Sequence, residues 1–178
     1  MNLRPAFEAQ ATRVGAVVHR CSLGTAPAEG LRLLSGVGCG SIALAGSLPR
    51  RDTWREALAA AGLAEILTST LWPTRRADAG VSFARLGVAE TGSVLLHSSS
   101  EDRRVELCVD VHLVLLDAAA IVPTLDQAFV ALRQISARPP AFASLVSGPS
   151  RSADIERILT IGVHGPRELH ILLVGGDA

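Results

Sequence analysis

The chain has 178 residues, 48% of them apolar, and 17 basic side chains balance 17 acidic ones. Every basic residue is arginine and tyrosine is absent, so a P-loop, a Schiff base and a serine–lysine hydrolase each lack their lysine. Zero net charge leaves no basic surface to neutralise a nucleic-acid backbone. The apolar runs are short and broken by Gly, Pro or charge, which predicts no membrane span or secretory signal and a soluble, cytoplasmic chain. The length suits one domain, residues 1–178, with a sizeable core.

In chain order, residues 5–15 read as a short helix with Pro5 in its first turn, and Ala16–Val18 as a strand. Leu31, Leu33 and Leu34 mark a short helix ending in the run Gly36-Val37-Gly38-Cys39-Gly40. That run is no dinucleotide fingerprint: Ser41 stands where the third glycine belongs, and a strand, Ile42–Ala45, follows rather than precedes it. Thr53 and Glu56 form a capping-box pattern for a helix whose face is Trp54, Leu58 and Ala61, closed by Gly62. Ile66-Leu67-Thr68 then completes a βαβ-like unit.

Leu71–Gly80 reads as irregular chain. Leu86–Glu90 and Ser93–Leu96, separated by Thr91-Gly92, read as a β-hairpin. Ser98–Arg104 reads as a polar loop, Val105–Val111 as an alternating strand and Leu113–Leu116 as its buried continuation. Thr124 and Gln127 suggest another capping box, opening an amphipathic helix along Leu125, Ala128, Phe129, Leu132 and Ile135 that Arg138-Pro139-Pro140 ends. Phe142–Val146 reads as a buried strand, Ser147–Ser150 as a tight loop, and Ile155, Ile158 and Leu159 as a helix that stops at Gly162. A last strand runs from Leu169 to Val174. Alternating strands and helices with apolar runs argue for a single α/β domain with a largely parallel sheet.

Cys21, Cys39 and Cys108 are far apart and the five histidines are scattered. Neither a zinc ribbon nor a cysteine-ligated cluster has its ligand spacing, so no metal site is expected in this chain. The chemistry-bearing residues fall instead into three loops. In the strand–loop–helix reading, Ser150 or Ser152 caps a helix start, Asp154 and Glu156 occupy its first turn, and Arg151 sits unneutralised at the mouth, an anion site. Two readings stay open there, a ligand corner or a capped helix after a turn. The other two loops are Glu90-Thr91-Gly92-Ser93 and His164-Gly165-Pro166.

Three phrases together resemble the lactate-utilisation protein C family, the LUD domain: Gly87-Val88-Ala89-Glu90-Thr91-Gly92-Ser93, Ser147 through Glu156, and Gly162 through His170. The resemblance is strong from about residue 77 to 178 and vague before it. It implies an α/β fold, a mostly parallel sheet flanked by helices, of the ribose-5-phosphate isomerase, glucosamine-6-phosphate deaminase and CoA transferase type. It also implies a role in oxidising L-lactate to pyruvate beside partner subunits that carry iron–sulfur clusters, with no cofactor in this chain. The alternatives are a stand-alone enzyme on a sugar phosphate or acyl/CoA-type substrate, and a non-catalytic assembly or regulatory module.

For the site, Glu90 is a candidate base, nucleophile or substrate contact, as a glutamate is in the related CoA transferases, or else a hydrogen-bond acceptor for a nearby turn or a partner of Arg151. His164 is a candidate acid or base, or a loop brace. Thr91, Gly92, Ser93, Ser147, Gly148, Ser150, Arg151, Ser152, Asp154 and Gly165 are the candidate binding residues for a small anionic metabolite, with Arg151 the bidentate anchor. His19, His97, His112 and His170 read as structural or exposed.

Overall fold

The structure is a computed structural model that describes residues 2–67, 76–135, 142–153, 159–161 and 165–175. Its frame is a parallel sheet in the order β1 (Val17–Cys21), β11 (Glu168–Val174), β6 (Val109–Asp117), β4 (Ala77–Val88), β2 (Ser41–Leu44) and β3 (Ala64–Glu65). The central strands β6 and β11 are buried almost throughout, as apolar runs covered on both faces must be. On one face lie α2 (Ala26–Gly36) and α3 (Arg51–Ala60), packing Leu31, Leu34, Trp54 and Leu58 onto Val81, Leu113 and Leu172. No helix among the described residues is long and apolar enough to cross a membrane.

The other face is covered by the sheet's own continuation. β4 is twelve residues long; its first half pairs in the parallel sheet, and its last residues pair antiparallel with β5 (Ser93–Ser98) and parallel with the short β7 (Ile121–Val122). The register shifts between Ala84 and Leu86, and such an irregularity bends a strand. β5 in turn pairs antiparallel with β8 (Phe142–Val146). Val94, Leu96 and Val146 of this ribbon pack with Val114, Leu116, Leu169 and Ile171, and with Phe7 and Ala11 of α1 (Arg4–Arg13). α5 (Leu125–Ile135) closes the ribbon's opposite side through Ala128 against Leu86, Val88 and Leu95.

Several local expectations change. The strand begins at Ala77, inside what reads as irregular chain. Asp102–Leu107 forms a helix, α4, where the alternation of Val105–Val111 suggests strand. Asp102 explains it: its carboxylate accepts the Gly46 and Ser47 amides across the sheet end (2.6 and 3.2 Å), and its own amide bonds Ser99 Oγ. The third strand is Ala64–Glu65, two residues earlier than expected. Thr53 does not cap α3, because the helix starts at Arg51 behind Arg50, a left-handed residue with φ 54°. Phe142–Val146 is a strand, but its pattern is mostly exposed rather than buried. Within the expected helix after Ser150, Arg151–Ala153 (β9) is a strand paired antiparallel with Leu159–Ile161 (β10). Thr68, Arg138-Pro139-Pro140, Asp154–Ile158 and Gly162–His164 lie outside the described residues.

Two contacts fix the loops that matter below. The end of α1 touches glycine backbone: a Cβ on Gly92 would lie 2.1 Å from the Ala11 nitrogen, and one on Gly148 2.1 Å from the Val14 carbonyl oxygen. Both glycines also have positive φ, 66° and 77°, which other residues adopt only with strain. The second contact is inside the sheet, where His112 Nε2 and Ser82 Oγ join β6 to β4 at 2.8 Å. Burial holds this imidazole neutral, its pKa pulled down to about 4.

Gly148→Ala is expected to destabilise the fold by on the order of 2 kcal/mol or more. Gly36→Ala, with open space around the added carbon, should leave stability unchanged or raise it by up to ~1 kcal/mol. Urea denaturation of both variants is the check. His112 makes a second prediction. Its folded pKa lies below the unfolded value near 6.5, so its contribution is present above that value and is lost as pH falls toward 4. The loss amounts to about 3 kcal/mol over that window. Denaturation at pH 7 and pH 4 should show it in the wild type and not in His112→Gln.

Candidate functional site

A cleft of about 260 Å³ opens where the ribbon meets the parallel sheet. One wall is the end of β8 and the loop after it: Ser144, Leu145, Val146, Ser147, Gly148, Pro149 and Ser150. The facing wall is Glu106 and Leu107 from the last turn of α4, His112 of β6, and Gly165, Pro166 and Leu169 leading into β11. The walls are tied at one point, where the Ser150 amide donates to the Pro166 carbonyl at 2.8 Å. The cleft therefore lies toward the amino ends of β6 and β11, whereas open α/β sheets place ligands at carboxyl ends. The folded-over ribbon is what makes a concavity there.

Of the residues singled out in the sequence, Ser147, Gly148, Ser150 and Gly165 line this cleft. Thr91 and Ser93 reach it indirectly, through a hydroxyl chain: Thr91 Oγ1 to Ser93 Oγ at 2.7 Å, and Ser93 Oγ to Ser147 Oγ at 2.6 Å. Gly92 lies under α1 instead. Glu90 is exposed at the hairpin turn, and its Oε2 accepts the Leu125 amide at 3.0 Å. That places a carboxylate at the start of α5, where the helix dipole favours it.

Arg151 also faces elsewhere. Its Nη2 donates to the Val14 carbonyl at 2.7 Å, a cation on the carboxyl end of α1, which is the favourable sign. The expected corner with amides of a helix start is replaced at Arg151–Ala153 by a strand. The side chain of Ser152, and Asp154 and His164 altogether, lie outside the described residues.

Two residues not singled out for chemistry in the sequence occupy the facing wall, Glu106 and His112, the latter read there as structural or exposed. Glu106 is 6% exposed. Burial pushes its carboxyl above the usual range, with Asp102 adding to the shift and Ser98 and Arg103 opposing it. His112 is 1% exposed and neutral. A carboxyl and an imidazole with displaced proton affinities, together in a cleft, make it a candidate site. The signal in the sequence was the acid itself, set in the run Val105-Glu106-Leu107-Cys108-Val109, but reading that run as an alternating strand sent Glu106 outward.

His19 and His170 form a separate group on the opposite face, with Nε2 to Nδ1 at 3.1 Å and His170 Nε2 to Glu168 Oε2 at 3.1 Å. Among the described residues no three His, Cys, Asp or Glu side chains converge on a possible metal position. Burial raises the thiol pKa of Cys21, and that of Cys39 to about 11, so these sulfurs are poor thiolate ligands.

The comparisons with known proteins agree with this fold. A DUF162 family protein from Deinococcus radiodurans matches the fold with a TM-score of 0.72 at 21% identity, over 97% of this chain and 96% of that one. Lactate utilization protein C of Bacillus subtilis is 37% identical over 103 residues, 56% of this chain and 43% of that protein. An uncharacterized protein of Neisseria meningitidis is 39% identical over 101 residues, again 56% and 43%. The matched stretch spans under half the length of these curated relatives. The LUD domain family model covers residues 57–174, which takes in β4, the hairpin, both walls of the cleft and the last strand, and the chain belongs to the LUD domain family.

Proposed function

We propose that the chain serves lactate utilisation by holding a small 2-hydroxy or 2-oxo monocarboxylate in the cleft between Ser144–Ser150 and Glu106, His112 and Gly165. Family membership supports the metabolic role, since relatives in this family are named for lactate utilization. The observation that carries the choice of site is the convergence of two family phrases, Ser147–Ser150 and Gly165–Pro166, on the cleft that contains the buried Glu106 and His112.

The cleft's volume suits a ligand of a few heavy atoms with room for water. Ser144, Ser147 and Ser150 offer hydroxyl donors and acceptors, and Leu107, Leu145 and Leu169 an apolar side for a methyl group. Neutral His112 can hydrogen-bond the ligand's 2-hydroxyl or 2-oxo oxygen. Oxidation of lactate to pyruvate removes two electrons together with the hydroxyl and Cα protons, and these side chains accept no electrons. Cys21, Cys39 and Cys108 sit on β1, before β2 and before β6, an arrangement that does not fit a cluster. In this reading the electrons leave through iron–sulfur centres on partner subunits.

Lactate or pyruvate should raise the melting temperature of the isolated chain, by the equivalent of about 2.7 kcal/mol at roughly 100 times Kd. The isolated chain should reduce no dye with lactate, and a reconstituted set with cluster-bearing partners should. Dye reduction by the chain alone would mark it as a stand-alone enzyme and overturn the division of labour.

A further inference from the structure

Glu106 is a buried acid whose hydrogen-bonding neighbour, the Ser98 hydroxyl, does not offset the cost of its burial. It is buried on the last turn of α4, where the unsatisfied carbonyls at a helix end repel a carboxylate. Asp102, one turn earlier, adds repulsion, and that acid is itself engaged with the Gly46 and Ser47 amides. Arg103 attracts it but rests over the Phe142 ring, 4.6 Å from its centroid. Among the described residues no cation forms an ion pair with Glu106. His112, the other titratable group in the cleft, is uncharged. A glutamine or a leucine at this position would avoid desolvating a charge.

The cleft has a complementary gap. Its described lining contains no arginine, so among the described residues a ligand carboxylate entering it meets hydroxyls and apolar carbon. Two carboxylates in one low-dielectric cleft cannot both stay ionised; the stable arrangement shares one proton between them. We propose that Glu106 takes up a proton from solvent when a small monocarboxylate enters the cleft, and donates it in a hydrogen bond to the ligand's carboxylate. No bond of the ligand changes. The complex carries one negative charge across two carboxyl groups, and Glu106 becomes the residue that sets ligand charge. A monocarboxylate is accepted, whereas a phosphate ester brings a second charge that one shared proton does not offset. The inference rests on reading the cleft as a carboxylic-acid site, and it assigns the group that recognises the acid.

The test is isothermal titration of the whole chain with sodium L-lactate and with sodium pyruvate, in two buffers of different ionisation heat, from pH 6 to pH 8. Wild type should take up close to one proton per ligand where free Glu106 is ionised. In that range its affinity should fall about tenfold per pH unit. Glu106→Gln should bind with no proton uptake and an affinity flat in pH, while glycerol phosphate binds neither protein. Stability supplies a second readout. The raised carboxyl pKa means Glu106 contributes stability at low pH that is lost as pH rises, so Glu106→Gln should melt above wild type at pH 8, the gap closing toward pH 5. Binding without proton uptake, or uptake that persists in Glu106→Gln, overturns this proposal and leaves the cleft reading standing. A Glu106→Gln chain that melts lower at pH 8, or fails to fold, also overturns it by making the carboxyl structural. Absence of binding by either acid overturns the cleft reading itself.

Discussion

The constraint on which the site depends is the backbone contact between the end of α1 and two glycine turns. Gly92 and Gly148 come from different parts of the chain, and each lies where a single methyl group would collide with α1. Arg151 closes the same junction by donating to Val14, and Gly15 leaves room for that guanidinium, since a Cβ there would lie 2.3 Å from Nη2. Three glycines and an arginine thus hold the hairpin turn and the loop after β8 against one helix end. The hydroxyl chain from Thr91 through Ser93 to Ser147 runs between the loops so held. Close approach of this kind is rigid because it leaves no side chain to rearrange.

The cleft's chemistry follows from the sheet's change of direction. A flat parallel sheet would bury both faces of β6 under helices and leave no room for a polar group. Here the irregularity at Ala84–Leu86 turns β4 out of the plane, and the ribbon it starts covers only part of the face. Glu106 and His112 border the uncovered part. Their burial comes from the frame, but their exposure to a ligand comes from the bend.

Much of the frame was legible in the sequence. β6, β11 and the hairpin carry long apolar runs whose period and turn residues leave few choices, and two of the three family phrases fell on the loops that line the cleft. Legibility ended where a distant partner decided the outcome. Asp102 makes a helix of Asp102–Leu107 by capturing amides more than fifty residues away, and no local pattern announces that. Arg151 read as an anion anchor because its neighbours could not neutralise it, yet its partner is a carbonyl 137 positions earlier. Glu90 left two readings open, chemistry or a hydrogen bond to a nearby turn, and it bonds the amide that opens α5. In each case the residue type was informative and the address was not, since hydrogen bonds across a fold leave no spacing to count.

One wall of the cleft belongs to a strand that, among the described residues, pairs with β5 alone. β8 shows Phe142 and Leu145 at 41% and 37% exposure, while the other wall is anchored in strands buried on both sides. Local opening is easiest where few apolar contacts and few ladder bonds must break. The cleft therefore joins two regions of unequal opening free energy, and a molecule that bridges them draws the weaker into the stronger. Amide hydrogen exchange would register occupancy as slowed exchange along β8, with β6 already slow in the empty protein.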